Sequence, residues 1–179
     1  KQEIVDYGGL QPLIVLLRKG SSGAKRSASL ALAELSHNNS STAIAITAKG
    51  GVSAFVEWLA NPNLGPPEMA AHALAYIAQS NSDTQTTIAE EAAVPLLVAM
   101  VTEAPIEWQR YAAGALAALA ENHMLNQIII AEEGGIKPVV ELLRAEPTAP
   151  YENATRALWH ISAYRENKLT IAKYDGINP

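Results

Sequence analysis

The chain has 179 residues, 49% hydrophobic but only 6% aromatic, with no cysteine and a formal net charge of −5 at a sequence pI near 5.4. Its 13 basic residues are spread along the chain and leave no electrostatic footprint for nucleic acid or anionic lipid. The missing cysteines exclude a disulfide framework and thiol chemistry and fit a reducing compartment, so a cytoplasmic address is expected, with the nucleus as the alternative.

Apolar runs such as Ala112 to Ala120 are far short of a bilayer span and no signal peptide heads the sequence, so a soluble chain without a membrane partner is expected. Residues 1–7 (KQEIVDY) align with Thr42 to Lys49 and with Lys168 to Tyr174, which reads as the tail of a repeated unit. From Gly8 the unit restarts every 42 residues: 8–49 opens GGLQPLIVLL, 50–91 opens GGVSAFVEWL and 92–133 opens AAVPLLVAMV. The next unit, 134–174, opens GGIKPVVELL and is one residue shorter, and 175–179 (DGINP) match the start of another. Four units exceed the roughly three that stacking needs to stabilise such an array. Neither end carries a polar cap, so a piece of a longer array is expected, its ends suited to packing in a larger assembly.

Columns of identical residues make the register firm. Ala28, Ala70, Ala112 and Ala154 recur, as do Ala31, Ala73, Ala115 and Ala157, and Leu32, Leu74, Leu116 and Leu158. Leu35, Ile77, Leu119 and Ile161 form a further column, and Ile4, Ile46, Ile88, Ile130 and Ile171 another.

Three helices are predicted in each unit. The pairs Gly8-Gly9, Gly50-Gly51 and Gly134-Gly135 supply unusual backbone angles at a sharp turn, which Ala92-Ala93 must make without glycine. A helix follows with apolar residues at Leu10, Leu13, Ile14 and Leu17, and Pro12, Pro95 and Pro138 sit in its first turn. Loops are predicted at 20–24, 61–67, 103–105 and 146–150, where glycine and proline cluster. A longer helix then carries the Ala/Leu stripe. After Asn39, Ser82, Asn122 or Asn167 a short helix bearing the isoleucine row leads to the next joint.

This unit, with its Gly-Gly joint, its Pro-x-Leu-Val-x-Leu-Leu helix and its Ala-Leu-x-x-Leu helix, resembles the armadillo repeat over essentially the whole chain. The resemblance implies an all-α, right-handed α-solenoid of three helices per unit, whose third helices line a concave groove for extended peptides or partner proteins. It thereby implies a non-enzymatic scaffold with no cofactor and no small-molecule substrate. A nuclear-import adaptor of importin-alpha type would repeat Trp and Asn on the third helix. The corresponding columns here are Leu30, His72, Gly114 and Arg156, and Glu34, Tyr76, Ala118 and His160, so neither ladder exists. A substrate-recognition array within a larger enzyme such as a ubiquitin ligase is the other alternative.

At 100° per residue the long helix turns Arg26, Leu30, Glu34 and His37 away from its stripe, along with their equivalents Glu68, His72, Tyr76 and Gln79; Arg110, Gly114, Ala118 and Glu121; and Glu152, Arg156, His160 and Ala163. Met69, Tyr111 and Asn153 border that face. Tyr and Arg supply binding hot spots when desolvated, and the partner-binding candidates are His72, Tyr76, Tyr111, Arg156, His160, Glu34, Arg110 and Asn153. The competing reading is a solvated helix face with amphipathic side chains lying flat. Trp58 is expected in the core; Trp108 reads equally as exposed or edge-packed; Trp159 reads as packing against a following repeat or as a groove anchor.

Chemistry finds little support. With helices roughly 8–10 Å apart, His72 and His160 would stand about 16–20 Å apart, too far to share an ion that needs ligands at about 2 Å. No phosphate-cradling loop, nucleophile elbow or cysteine nucleophile occurs. Glu90-Glu91 and Glu132-Glu133 recur at the end of the short helix, as solvated surface would. The N-x-[ST] matches at Asn38, Asn39 and Asn153 read as chance.

Overall fold

The computed structural model describes residues 1–79, 81–144 and 151–174. Every regular element among them is helical. A short α1 (Gln2–Asp6) precedes the first joint. Over residues 8–49 come α2 (Leu10–Lys19), α3 (Ser22–Ser36) and α4 (Ser40–Ala48), and over 50–91 come α5 (Gly51–Ala60), a 3-10 turn (Pro62–Leu64), α6 (Glu68–Ala78) and α7 (Ser82–Glu90). Next come α8 (Ala93–Glu103), α9 (Ile106–Ala120) and α10 (Met124–Glu132), and last α11 (Ile136–Arg144), α12 (Tyr151–Ile161) and α13 (Arg165–Lys173).

Like packs on like. The long helices α3, α6, α9 and α12 are successive neighbours in one layer, α2, α5, α8 and α11 in a second, and α4, α7, α10 and α13 in a third. The apolar stripe predicted on the long helix is what closes these layers: Leu32, Leu74 and Leu116 are at most 1% exposed, and the alanines Ala28, Ala70, Ala112 and Ala154 are likewise buried. Small residues in that column let helix backbones approach closely. Trp58 is in the core, its indole Nε1 donating to the Gly65 carbonyl (3.2 Å), and Trp108 is half-buried at the edge. No single helix among the described residues is long and apolar enough to cross a membrane.

The glycine joint divides two tasks that the sequence reading had merged. Only the first residue of each pair is left-handed, as at Gly50 with φ +77°. The second is confined by contact: a Cβ on Gly51 would lie 2.5 Å from Ile46 Cγ2 and 2.9 Å from the Ile46 carbonyl oxygen. In the third unit Ala92 takes φ +60° itself, and Ala93 is fully buried behind it. A left-handed alanine costs roughly 1–2 kcal/mol, and Ala92 is exposed, so its methyl contributes little packing in return. Ala92→Gly is therefore expected to raise stability by about 1 kcal/mol, read as a higher denaturant midpoint. An unchanged or lower midpoint contradicts that account of the joint.

Several predicted boundaries move. The loop expected at 20–24 is shorter, because the Ser21 hydroxyl accepts from the Ala24 N–H and starts α3 at Ser22. The loop expected at 146–150 and the unit start at 175–179 lie outside the described residues. The short helices are capped by Asn39, Asn81 and His123, whose side chains accept from the N–H of Thr42, Thr84 and Asn126. The predicted junctions at Ser82 and Asn122 are therefore each off by one, and Asn122 instead takes φ +53° just before the cap. Asn167 lies inside α13, which starts after Tyr164.

That inward asparagine belongs to a set of buried amides that the periodicity did not reveal. Gln85 Nε2 donates to the carbonyls of Ala118 (2.7 Å) and Glu121 (3.0 Å) in the next unit. Asn126 Nδ2 donates to Leu119 (3.0 Å) and back to Gln85 (3.3 Å), while Asn167 Nδ2 donates to Ile161 (3.0 Å) and back to Gln127 (2.9 Å). The carbonyls at the end of a helix have no intrahelical partner. Amides from the short helices fill that role and tie each unit to its neighbour.

Candidate partner-binding groove

With one side of each long helix sealed in the stack, the opposite side forms a continuous surface across α3, α6, α9 and α12. Its centre is a cleft of about 270 Å³ lined by His72, Ala75, Tyr76 and Gln79 of α6, Arg110, Tyr111 and Gly114 of α9, and Asn153 and Arg156 of α12. The floor is low because Gly114 has no side chain and Ala75 offers only a buried methyl.

One wall is a file of rings. His37 meets Tyr76 edge-on at 4.8 Å between centroids, Tyr76 meets His72 at 4.8 Å, and His72 meets Tyr111 at 5.3 Å, all close to perpendicular. Edge-to-face contact is the favoured geometry for such rings. The Arg110 guanidinium closes the file, its Cζ 4.5 Å above the Tyr111 ring centroid, with Nη2 donating to the Tyr111 hydroxyl. Burial holds the His72 pKa below its ordinary value, and the Arg110 charge pushes it the same way. At neutral pH the positive charge of the cleft accordingly resides on the arginines.

Six of the eight predicted residues, His72, Tyr76, Arg110, Tyr111, Asn153 and Arg156, meet in this cleft. Two do not. Glu34 lies at the far end of the surface, paired with Lys1 at 3.0 Å, and that ammonium lowers the Glu34 pKa by hydrogen bonding and by charge. His160 is half-buried on α12 and stacks on Trp159 at 4.7 Å; burial lowers its pKa, Glu121 opposes that shift and Arg156 adds to it. Met69, placed at the groove edge from the helical wheel, is 9% exposed and packs inward.

Asn153 has a different role from the one its position suggested. Its Nδ2 donates to the Arg110 carbonyl at 2.9 Å and so clamps α12 to α9. Gly114 leaves room for this: a Cβ there would lie 3.2 Å from the amide nitrogen. Ala75, Gln79 and Gly114 complete the lining without having been singled out; for Gly114, glycine in the middle of a helix, against its low propensity, was the available signal. Trp159 is 70% exposed, whereas Ala33, Ala75 and Ala117 in the same column are buried. Among the described residues no group of three or more His, Cys, Asp or Glu is arranged to hold a metal ion.

No family model and no curated protein matches the chain. Solved structures do. An engineered protein of the Northeast Structural Genomics Consortium superposes with a TM-score of 0.88 at 30% identity over 98% of this chain, and a second with 0.79 at 30% over 86%. The chain spans 43% and 62% of their respective lengths. A designed armadillo repeat protein, YIII(Dq)4CqI, superposes with a TM-score of 0.88 at 25% identity, covering 97% of this chain and 74% of its own. Another, solved in complex with the peptide (KR)4, gives 0.86 at 25%, covering 97% and 73%. The molecule is thus an all-α solenoid built of stacked three-helix units. Its fold is that of the armadillo-like repeat proteins it superposes on, with no particular member singled out.

Proposed function

We propose that this chain is a non-enzymatic scaffold that binds partner proteins, or extended peptide segments of them, along the long-helix surface. The observation that carries the reading is the cleft itself, in which an aromatic file and two arginines from successive units converge around the side-chain-free Gly114. Half-buried Tyr76, Tyr111 and Arg156 around a depression, with Arg110 exposed at its rim, are the residue types and setting of binding hot spots. The designed armadillo protein that binds (KR)4 supports it, since its backbone superposes on nearly all of this one.

Selection from a randomised display library of peptides is expected to enrich sequences that bind the wild-type chain. Replacing Tyr76 and Tyr111 together by Ala should weaken those binders by about tenfold or more, in line with about 1.4 kcal/mol or more for a pair of hot-spot rings. Circular dichroism should show the helices intact. If no peptide is enriched, or the enriched peptides bind the double variant equally well, the groove is not the binding surface.

A further inference from the structure

Charge in the cleft is one-sided. Arg110 and Arg156 face it from α9 and α12, and none of its lining residues is a carboxylate. The long helices do carry acids nearby, Glu68, Glu107, Glu121 and Glu152, but the ion pairs among the described residues are Lys1–Glu34, Arg18–Glu57 and Lys137–Glu141. Among the described residues neither cleft arginine forms an ion pair. Arg110 is held in place by the Tyr111 ring and hydroxyl, which fixes part of its donor fork before any ligand arrives. Gln79, the Tyr76 hydroxyl and the side-chain oxygen of Asn153 add neutral polar groups to the same rim.

We infer that the cleft receives an acidic side chain, Asp or Glu, from an extended partner segment, its carboxylate seated between the guanidiniums of Arg110 and Arg156 and its backbone lying against the His72, Tyr76 and Tyr111 rings. This rests on the groove reading above and adds the chemistry of the partner. Charge complementarity selects the occupant. Two guanidiniums in a partly enclosed, low-floored site offer charge-assisted hydrogen bonds to a carboxylate and repel a basic segment. The occupant inferred here is thus opposite in charge to the (KR)4 peptide in the superposable designed complex.

The test uses the full chain and three labelled peptides, (DE)4, (NQ)4 and (KR)4, followed by fluorescence anisotropy at low and moderate salt. Tighter binding of (DE)4 than of the other two is expected, weakening as salt rises. Arg110→Gln and Arg156→Gln should each weaken (DE)4 by roughly ten- to a hundredfold, as loss of a charge-assisted hydrogen bond implies, with the helical signal unchanged. A phosphoserine peptide of otherwise neutral sequence forms a separate arm; if it alone binds in an arginine-dependent manner, a phosphate and not a carboxylate is the occupant and the inference is overturned. Equal or tighter binding of (NQ)4 or (KR)4, or (DE)4 binding that survives both arginine substitutions, also overturns it. The groove reading then stands or falls separately on whether library-selected peptides of any charge lose affinity in the Tyr76/Tyr111 variant.

Discussion

Replacing Leu116 by Ala is expected to lower stability by about 2–5 kcal/mol, the range for truncating a large side chain in a packed core. Leu116 is fully buried on α9, the helix that packs on α6 of the preceding unit and α12 of the following one. Stability in a stacked array is approximately a sum of unit and nearest-neighbour interface terms. A cavity in a central layer therefore weakens two interfaces as well as one unit. Leu30→Ala serves as the control: Leu30 lies on the outer side of α3, is 43% exposed, and should shift stability by no more than about 0.5 kcal/mol. Urea unfolding followed by circular dichroism measures both, and equal midpoints for the two variants would contradict the assigned helix faces.

The second large effect concerns a polar residue. Asn126 is 1% exposed, and its side-chain amide nitrogen donates to the carbonyls of Leu119 and Gln85. Asn126→Leu keeps a similar volume and removes both donors, so the Leu119 carbonyl near the end of α9 loses its partner in a dry site. A buried acceptor left unsatisfied costs about 1–3 kcal/mol. Asn126→Asp sharpens the test because an ionised carboxylate would face two carbonyl oxygens with nothing to donate. Burial and this repulsion raise the folded-state pKa of the introduced acid above its unfolded value of about 3.9. The sign follows from linkage: the stability of that variant is greatest below the unfolded pKa, where the acid is protonated and can donate, and is lost as pH rises through the folded pKa. A variant whose stability does not fall with rising pH relative to wild type would show that this amide is not the tie between units.

These two residues mark how far the sequence could be read. Leu116 was legible because its column repeats as leucine every 42 residues, and a repeating apolar column at helical spacing admits one packing arrangement. Asn126 was not, because its column is Thr42, Thr84, Asn126 and Asn167: the last two donate across units, to Gln85 and Gln127, through a side-chain N–H that threonine lacks, and polarity alone does not say whether a residue points into or out of a helix stack. Capping residues fell one position away for a similar reason, since Asn122 and His123 are both plausible at a helix start and the backbone angle decides between them.

The groove divides the same way. That His72, Tyr76, Arg110 and Arg156 share the outer side of successive long helices follows from their positions in the repeat. Which of them meet was decided by the stacking of α6, α9 and α12: it brought six candidates to one cleft, left Glu34 paired with Lys1 at the far end, and committed the Asn153 amide to the Arg110 carbonyl. By itself the sequence determined the unit, its length, its buried stripe and its outer face, because helical periodicity and repetition are local properties of the chain. The tertiary structure alone decided which side chains converge and which donors are already used, because contacts between residues some 40 positions apart depend on how one helix is set against the next.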